Sequence, residues 1–248
     1  MNMRGIDFKT AGGYNVKEAL LMLPALLFIL GASVLFALSA EQISIPVSAS
    51  LRRGFPVLII DPGHGGLDSG AVAFNGVRES DVNLSIALKM EQIAAFCGVD
   101  TAMTRRDDSR KTDILSYSEH ADLVQRADFA NAVQNGVLIS VHQNMFPTSQ
   151  PFGAQILYAE GEQSRRLGEI TQQNLVRLLQ PENRRLAEPA PRNLYLTAHV
   201  SCPAILAECG FLSNYSELDR LSDERYQTDL ALILVGSFLQ EQGTKQLS

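Results

Sequence analysis

Three apolar segments of the sequence each lead into a side chain that can take part in metal chemistry. The first (VLII) runs into a glycine-rich turn that carries His64, the second (VLISV) ends at His142, and the third (PAILA) ends at Glu208. Short continuous apolar runs of this kind indicate buried strands. Because ligands in open α/β sheets bind beyond the carboxyl ends of the strands, we expect the three side chains to converge.

Two imidazoles and one carboxylate are a known ligand set for catalytic zinc, and they leave one position open for water. The two histidines supply the imidazoles. Glu79, just before the first predicted helix, is the best candidate for the carboxylate, with Asp68 and Asp81 as rivals. Glu208 then remains as a general base that takes a proton from the attacking water and passes it to a leaving amine.

Strands and helices alternate from residue 56 to residue 243, which predicts one α/β layered domain with a mostly parallel, twisted sheet flanked by helices. The predicted strands cover residues 57–61, 99–104, 136–141, 154–159 and 203–208. The predicted helices cover residues 81–97, 119–134, 162–179 and 224–241, and a Pro- and Arg-rich loop covers 181–192.

Residues 19–40 contain no charged residue and are long enough to cross a bilayer, which takes about 20 apolar residues. Basic residues precede this run, so the positive-inside rule places residues 1–18 in the cytoplasm and the following domain outside. The run fits either a transmembrane anchor or a cleaved signal peptide, and both would export the domain. Residues 41–55, punctuated by Ser, Pro and Gly, are interpreted as a tether.

The charge and cysteine content narrow the function further. The net charge is −6 and the pI is about 5.3, which argues against a nucleic-acid partner, since such proteins usually carry a basic patch. The three cysteines are Cys97, Cys202 and Cys209. Cys97 lies in an apolar helical stretch, and the other two flank a predicted strand that holds them too far apart to bond. The sequence therefore predicts neither a disulfide framework nor a cysteine metal site.

Several motifs, in order, resemble those of the zinc-dependent N-acetylmuramoyl-L-alanine amidases of the type-3 family. The matching segments are DPGHGGLDSG (61–70), Glu79, TRRD (104–107), RADFAN (126–131), SVHQN (140–144) and ECGFLSN (208–214). The resemblance spans roughly residues 57 to 241. It implies zinc at His64, Glu79 and His142, with Glu208 as the catalytic acid/base.

The resemblance also implies the reaction: hydrolysis of the amide that joins the lactyl group of N-acetylmuramic acid to L-alanine in peptidoglycan. The layout is similar to that of membrane-anchored sporulation and germination-specific amidases, which act in muramic-δ-lactam formation in the spore cortex. The expected location is the cell membrane, with the catalytic domain outside. Two alternatives stay open: a non-catalytic cell-wall-binding module, and a zinc peptidase that cuts within the stem peptide. The need for an accessory protein is also open.

The sequence leaves the roles of several polar residues undecided. Asp61 could accept a hydrogen bond from a liganding imidazole or cap the glycine turn. A substrate carboxylate could pair with one of the arginines Arg105, Arg106, Arg126 and Arg192. His120 is expected at the surface, and His199 either at the surface or beside the substrate groove.

Overall fold

The computed structural model describes residues 54–108 and 118–245. The predicted segments 1–18 and 19–40, and the tether except for its last two residues, lie outside the described residues. Among the helices of the described part, none combines the length and the apolar character needed to cross a membrane.

Within the described part of the chain, six strands form one mixed sheet in the order β2-β1-β3-β6-β4-β5. The strands are β1 (Val57–Pro62), β2 (Thr101–Met103), β3 (Gly136–Asn144), β4 (Gln155–Tyr158), β5 (Glu188–Pro189) and β6 (Ala204–Phe211). The predicted parallel arrangement holds for β2, β1, β3 and β6, but β4 runs antiparallel to β6, and β5 is parallel to β4. β3 and β4 lie on either side of β6 and are joined by a helix-free loop, so the chain returns in the opposite direction; a parallel strand would need a longer crossover connection.

Helices cover both faces of this sheet. They are α1 (Glu79–Phe96), α2 (Glu119–Ala132), α3 (Glu162–Leu178), α4 (Tyr195–His199), α5 (Tyr215–Leu221) and α6 (Glu224–Lys245). The sequence predicted α1, α2, α3 and α6 to within a few residues. It missed the short helices α4 and α5 and the two-residue strand β5.

Two apolar clusters hold the layers together. Consecutive strand residues point to opposite faces of a sheet. Ile60 therefore packs in the larger cluster with α1, α3 and α6, while Ile59 packs in the smaller one with α2 and α4. Both side chains are fully buried. The two-sided burial explains why residues 57–60 of β1 are all apolar, and it makes this strand a rigid support for the turn that follows.

Candidate metal centre

His64, Glu79 and His142 converge at the edge of the sheet where β1 and β3 have their carboxyl ends. One donor atom from each side chain lies within 4.8 Å of the others. The Glu79 carboxylate is between the two rings, with Oε2 3.3 Å from Nε2 of His64 and Oε1 3.0 Å from Nδ1 of His142. These three side chains form a group that can hold a metal ion, and they are the set that the sequence analysis put forward.

Glycines in the turn at residues 61–70 leave the space in which this group assembles. A Cβ atom at Gly63 would overlap the ring of His142, and a Cβ atom at Gly70 would lie 2.6 Å from Oε2 of Glu79. Gly70 also has a positive φ of 61°, as does His64 with a φ of 60°. Non-glycine residues rarely adopt this left-handed conformation, so the neighbouring structure must hold the histidine in place.

The neighbours of the three side chains orient them. Nδ1 of His64 is 2.8 Å from a carboxylate oxygen of Asp68, which leaves Nε2 facing Glu79. The backbone N–H groups of Ala71 and Gln143 each donate to the Glu79 carboxylate at 3.0 Å. Asp68 is therefore placed to support a ligand rather than to replace Glu79, since histidines that bind metals usually donate their other nitrogen to a carboxylate.

The second rival for the carboxylate lies outside the group. Asp81 is exposed and accepts two hydrogen bonds from Arg78, at 2.9 and 2.6 Å. Because its carboxylate is turned to the surface, Glu79 is the one of the three candidates that reaches both histidines.

Charge pairing sets the protonation of the group when no metal is present. Burial lowers the pKa of His64, but hydrogen bonds and charges from Glu79 and Asp68 outweigh it and raise that pKa to about 9. Burial alone would raise the pKa of Glu79, but the two histidines hold it well below its usual range. Glu79 is therefore a carboxylate, the form in which it can bind a cation.

Glu208 lies beside this group on the neighbouring strand β6. It is the direct register partner of His142 in the parallel pairing of β3 and β6. Among the described residues, no hydrogen-bond partner reaches its buried Oε2 atom. Burial raises the pKa of Glu208, and the nearby negative charge of Glu79 adds to the effect, while His142 and His64 oppose it. A carboxyl group in this state has a free oxygen with which to exchange a proton.

Asp61 has a structural role that the sequence analysis did not foresee. Its buried carboxylate accepts hydrogen bonds from Thr104 (2.6 Å), Arg126 (2.7 Å) and Ser140 (2.6 Å). Burial works against its ionisation, but these partners lower the pKa of Asp61 to about 2. The imidazole hydrogen bond suggested for Asp61 is made by Asp68 instead.

Two of the arginines considered for substrate binding donate hydrogen bonds to the backbone of the glycine turn. Arg126 donates to the backbone oxygens of Pro62 (2.9 Å) and His64 (2.6 Å). Arg105 donates to the backbone oxygens of Pro62 (2.9 Å) and Gly63 (3.0 Å). These contacts fix the backbone of the turn at residues 62–64, around His64.

The other two arginines lie elsewhere. Arg106 pairs with Glu91 on α1. Arg192 is exposed and lines a separate surface cavity with Tyr158. Of the four arginines, Arg126 alone lines the cleft described next, and there it is bound to Asp61.

The metal group opens into a cleft of about 360 Å³. Helices α2 and α4 supply residues to its wall, namely Glu119, Asp122, Leu123, Tyr195 and Leu196. The ring of Tyr195 is stacked on His199, with centroids 3.8 Å apart, and meets the edge of His120 at 5.0 Å. The sequence analysis missed Tyr195, because the five-residue helix that carries it is too short to show a periodic pattern.

Comparisons with known sequences agree on one family. Residues 58–236, which include the metal group and Glu208, match Amidase_3, described as N-acetylmuramoyl-L-alanine amidase. The chain is 35% identical over 179 residues to YqiI of Bacillus subtilis (strain 168), with 71% of this chain and 80% of YqiI covered. It is 32% identical over 212 residues to the germination-specific N-acetylmuramoyl-L-alanine amidase of the same organism, with 82% and 88% covered.

Solved structures show the same similarity in three dimensions. The CwlD amidase of Clostridioides difficile, determined in complex with the GerS lipoprotein, has a TM-score of 0.72 and 30% identity, and 76% of this chain and 99% of that chain are covered. The amidase AmiC2 of Nostoc punctiforme has a TM-score of 0.64 and 27% identity, with 75% and 96% covered. The similarity therefore extends over about three quarters of this chain and nearly the whole of each solved chain.

Proposed function

The chain belongs to the Amidase_3 family and hydrolyses the amide bond between N-acetylmuramic acid and L-alanine, and we propose that it does so with a zinc ion and a glutamate base. His64, Glu79 and His142 would hold the zinc. The two alternatives raised by the sequence, a non-catalytic wall-binding module and a peptidase, gain no support from these relatives.

The three proposed ligands suit zinc by the type of their donor atoms and by the distances between them. Zinc accepts two imidazoles and one carboxylate. Glu79 is ionised, and glycines at 63 and 70 leave room for the donor atoms within 4.8 Å of one another. Zinc bound there would supply Lewis-acid chemistry, which polarises a carbonyl and makes water acidic enough to attack near neutral pH.

The remaining steps depend on Glu208. Its unpartnered Oε2 would take the proton released when water attacks the amide carbonyl. The same proton would then pass to the amide nitrogen, so that the carbon–nitrogen bond breaks and the stem peptide leaves with a free L-alanine amine. The observation that carries this proposal is the register pairing of Glu208 with His142, which puts a free carboxyl oxygen beside the metal group.

The proposed metal and bond can be tested together. Purified full-length protein in detergent would be incubated with muropeptides, with and without a chelator, and the products identified by mass spectrometry. We expect the products to be free stem peptides that begin with L-alanine. Their formation should stop when the chelator is added and should resume when zinc is added back. Cleavage within the stem peptide would contradict the proposed bond, and undiminished cleavage with the metal removed would contradict the metal.

We further propose that the catalytic domain covers residues 56–243 and lies outside the cell membrane, held by residues 19–40. The support is the uncharged apolar run and the basic residues before it. Full-length protein should fractionate with membranes and be degraded by protease added to intact cells without their wall. A soluble product that begins near residue 41 would show a cleaved signal peptide instead.

We also infer a role in spore peptidoglycan, supported by the similarity to a germination-specific amidase over 88% of its length. Spores that lack this protein should contain much less muramic-δ-lactam in their cortex and should germinate poorly. A normal content of muramic-δ-lactam in the cortex of such spores would indicate that the enzyme acts on peptidoglycan other than that of the spore. A relative solved with a lipoprotein supports an accessory partner that raises the activity of the purified chain; equal activity of the chain purified alone and purified from cells with its bound proteins would contradict that role.

A further inference from the structure

Two aromatic rings stand in solvent next to each other, although they come from distant parts of the chain. Phe74 is 71% exposed and Tyr215 is 61% exposed. Their centroids are 4.8 Å apart, and their planes meet at 77°, the edge-to-face geometry that aromatic pairs prefer. Single exposed apolar residues are common, but apolar groups that are exposed in contact with each other form a contiguous patch, and such patches are a feature of binding sites.

The turn that presents Phe74 is rigid. Residues 72–78 form a closed turn in which Ala73 and Val77 are joined by a backbone hydrogen bond of 2.8 Å, and Gly76 donates to Ala73 at 2.9 Å. Ala73 itself is buried in the main core. The backbone is therefore anchored, and the neighbouring Phe74 side chain points outward from a fixed position.

Tyr215 is held as firmly at the start of α5. The side chain of Asn214 caps this helix by accepting from the backbone N–H of Glu217 at 3.1 Å. The buried carboxylate of Glu217 accepts in turn from the backbone N–H groups of Gly153 and Phe211. Both rings are thus pre-organised, which reduces the entropy lost when a ligand binds to them.

Both supports connect directly to the metal group. The turn at 72–78 begins next to Ala71, which lines the cleft and donates to Glu79, and it ends one residue before Glu79. Helix α5 follows β6, the strand that carries Glu208. The two rings do not line the cleft, but they lie at the same edge of the sheet, three residues along the chain from Ala71 and seven from Glu208.

We propose that Phe74 and Tyr215 form a platform on which a sugar ring of the glycan strand stacks while an adjacent muramyl amide lies in the cleft. The proposal rests on the amidase function. A pyranose ring offers an apolar face of C–H groups, which suits an uncharged aromatic surface. The stem peptide carries ionised groups, which such a surface would not pair. A glycan strand is also longer than a cleft of about 360 Å³ can contain, so parts of it must lie on the rim.

Substrates of two lengths separate this role from the chemistry. The full-length enzyme in detergent would be assayed on N-acetylmuramoyl-peptide monomers and on glycan strands of several disaccharides. We expect Phe74→Ala and Tyr215→Ala to raise KM on strands by about threefold to tenfold each, the range that one aromatic contact implies, with kcat unchanged. On monomers both variants should match the unmodified enzyme.

Substitutions at Tyr215 that keep or remove the aromatic ring distinguish stacking on the ring from simple apolar contact. Tyr215→Phe keeps the ring and should keep the low KM on strands, whereas Tyr215→Leu keeps apolar bulk and should lose it. Phe96→Ala is the matched control. Phe96 is 93% exposed but ends α1, about 25 Å along the helix from Glu79, and its loss should change nothing.

Three results would overturn the platform. They are equal losses on monomers and strands, unchanged KM on strands in both alanine variants, and full rescue by Tyr215→Leu. The first would indicate that the rings serve the peptide or the scaffold, and the third would indicate an apolar protein contact. Failure of the amidase function itself is recognised separately, because the unmodified enzyme would then leave the monomers intact.

Discussion

His142 and Glu208 are direct partners in the parallel pairing of β3 and β6. Neighbouring strands lie about 4.8 Å apart, and paired residues point to the same face of the sheet. The separation between a proposed metal ligand and the proposed base is therefore set by backbone hydrogen bonding rather than by a loop. Such a pair needs little rearrangement before it can act, which is the kind of support that a catalytic group requires.

Gly63→Ala should remove metal binding while the domain stays folded. The added Cβ would overlap the ring of His142, so this side chain must leave its place beside Glu79. Metal content by mass spectrometry and the far-UV circular dichroism spectrum of the same sample check the expectation. Gly236→Ala in α6 is the control, since no atom lies within 4 Å of its Cβ position. This control should bind metal normally and gain up to about 1 kcal/mol in stability.

Asp68→Asn should weaken metal binding without abolishing it. Asp68 orients His64 by a hydrogen bond to the Nδ1 atom of the imidazole. Loss of such a partner typically lowers the metal affinity by about 10–100-fold. Competition titration with a chromogenic chelator measures the change. Asp81→Asn replaces a carboxylate on the surface near the same turn and should leave the affinity unaltered. Equal affinities in the unmodified protein and Asp68→Asn would remove Asp68 from this role.

Because of the buried carboxylate of Asp61, the free energy of unfolding should decrease at acidic pH. The pKa of Asp61 is about 2 in the folded protein, against an ordinary value of 3.8, so the unfolded chain binds the proton more readily. The stabilisation is present above about pH 4 and is lost as the pH falls towards 2. It amounts to about 2 kcal/mol.

Urea denaturation between pH 6 and pH 2 measures this loss. Over this pH range the free energy of unfolding of Asp61→Asn should fall by about 2 kcal/mol less than that of the unmodified protein. At neutral pH the same variant should be less stable by about 1–3 kcal/mol, because Arg126 loses its charged hydrogen bond to Asp61 and keeps only its ion pair with Asp122. An unchanged pH dependence in Asp61→Asn would show that other carboxylates cause the acid sensitivity.

The sequence predicted the central strands and the composition of the metal group because both are encoded locally. Strands buried on two faces contain continuous apolar runs. His142 comes directly after such a run within β3, and His64 lies two residues beyond the end of β1. The support of the site was not predictable in the same way. Asp61 is bound by Thr104, Arg126 and Ser140, which are far apart in sequence and come from different elements.

The direction of β4 and the two short helices were also missed. An apolar run predicts a strand but not its direction, which here follows from the helix-free loop before it. Helix α4 has five residues and helix α5 has seven, too few for a periodic pattern. A signal for α5 was nevertheless present, since Asn214 and Glu217 have the spacing of a capping box.

His64→Ala and His142→Ala should each lose most of the bound zinc, because a site with three protein ligands cannot spare an imidazole. Glu79→Ala should also reduce it, since the Glu79 carboxylate lies within contact distance of both rings. Metal analysis of the purified variants decides the matter. Near-equimolar zinc in either histidine variant would exclude that residue as a ligand.

The most direct test of the proposed mechanism is the Glu208→Gln variant, with zinc content and amidase rate measured on one preparation. Glutamine keeps the size of the side chain and removes the group that can accept a proton. We predict a folded protein with a full complement of zinc and a rate lower by about 10²–10⁴-fold, the usual contribution of general acid–base catalysis. A zinc-loaded variant with near-normal turnover would contradict the role of Glu208.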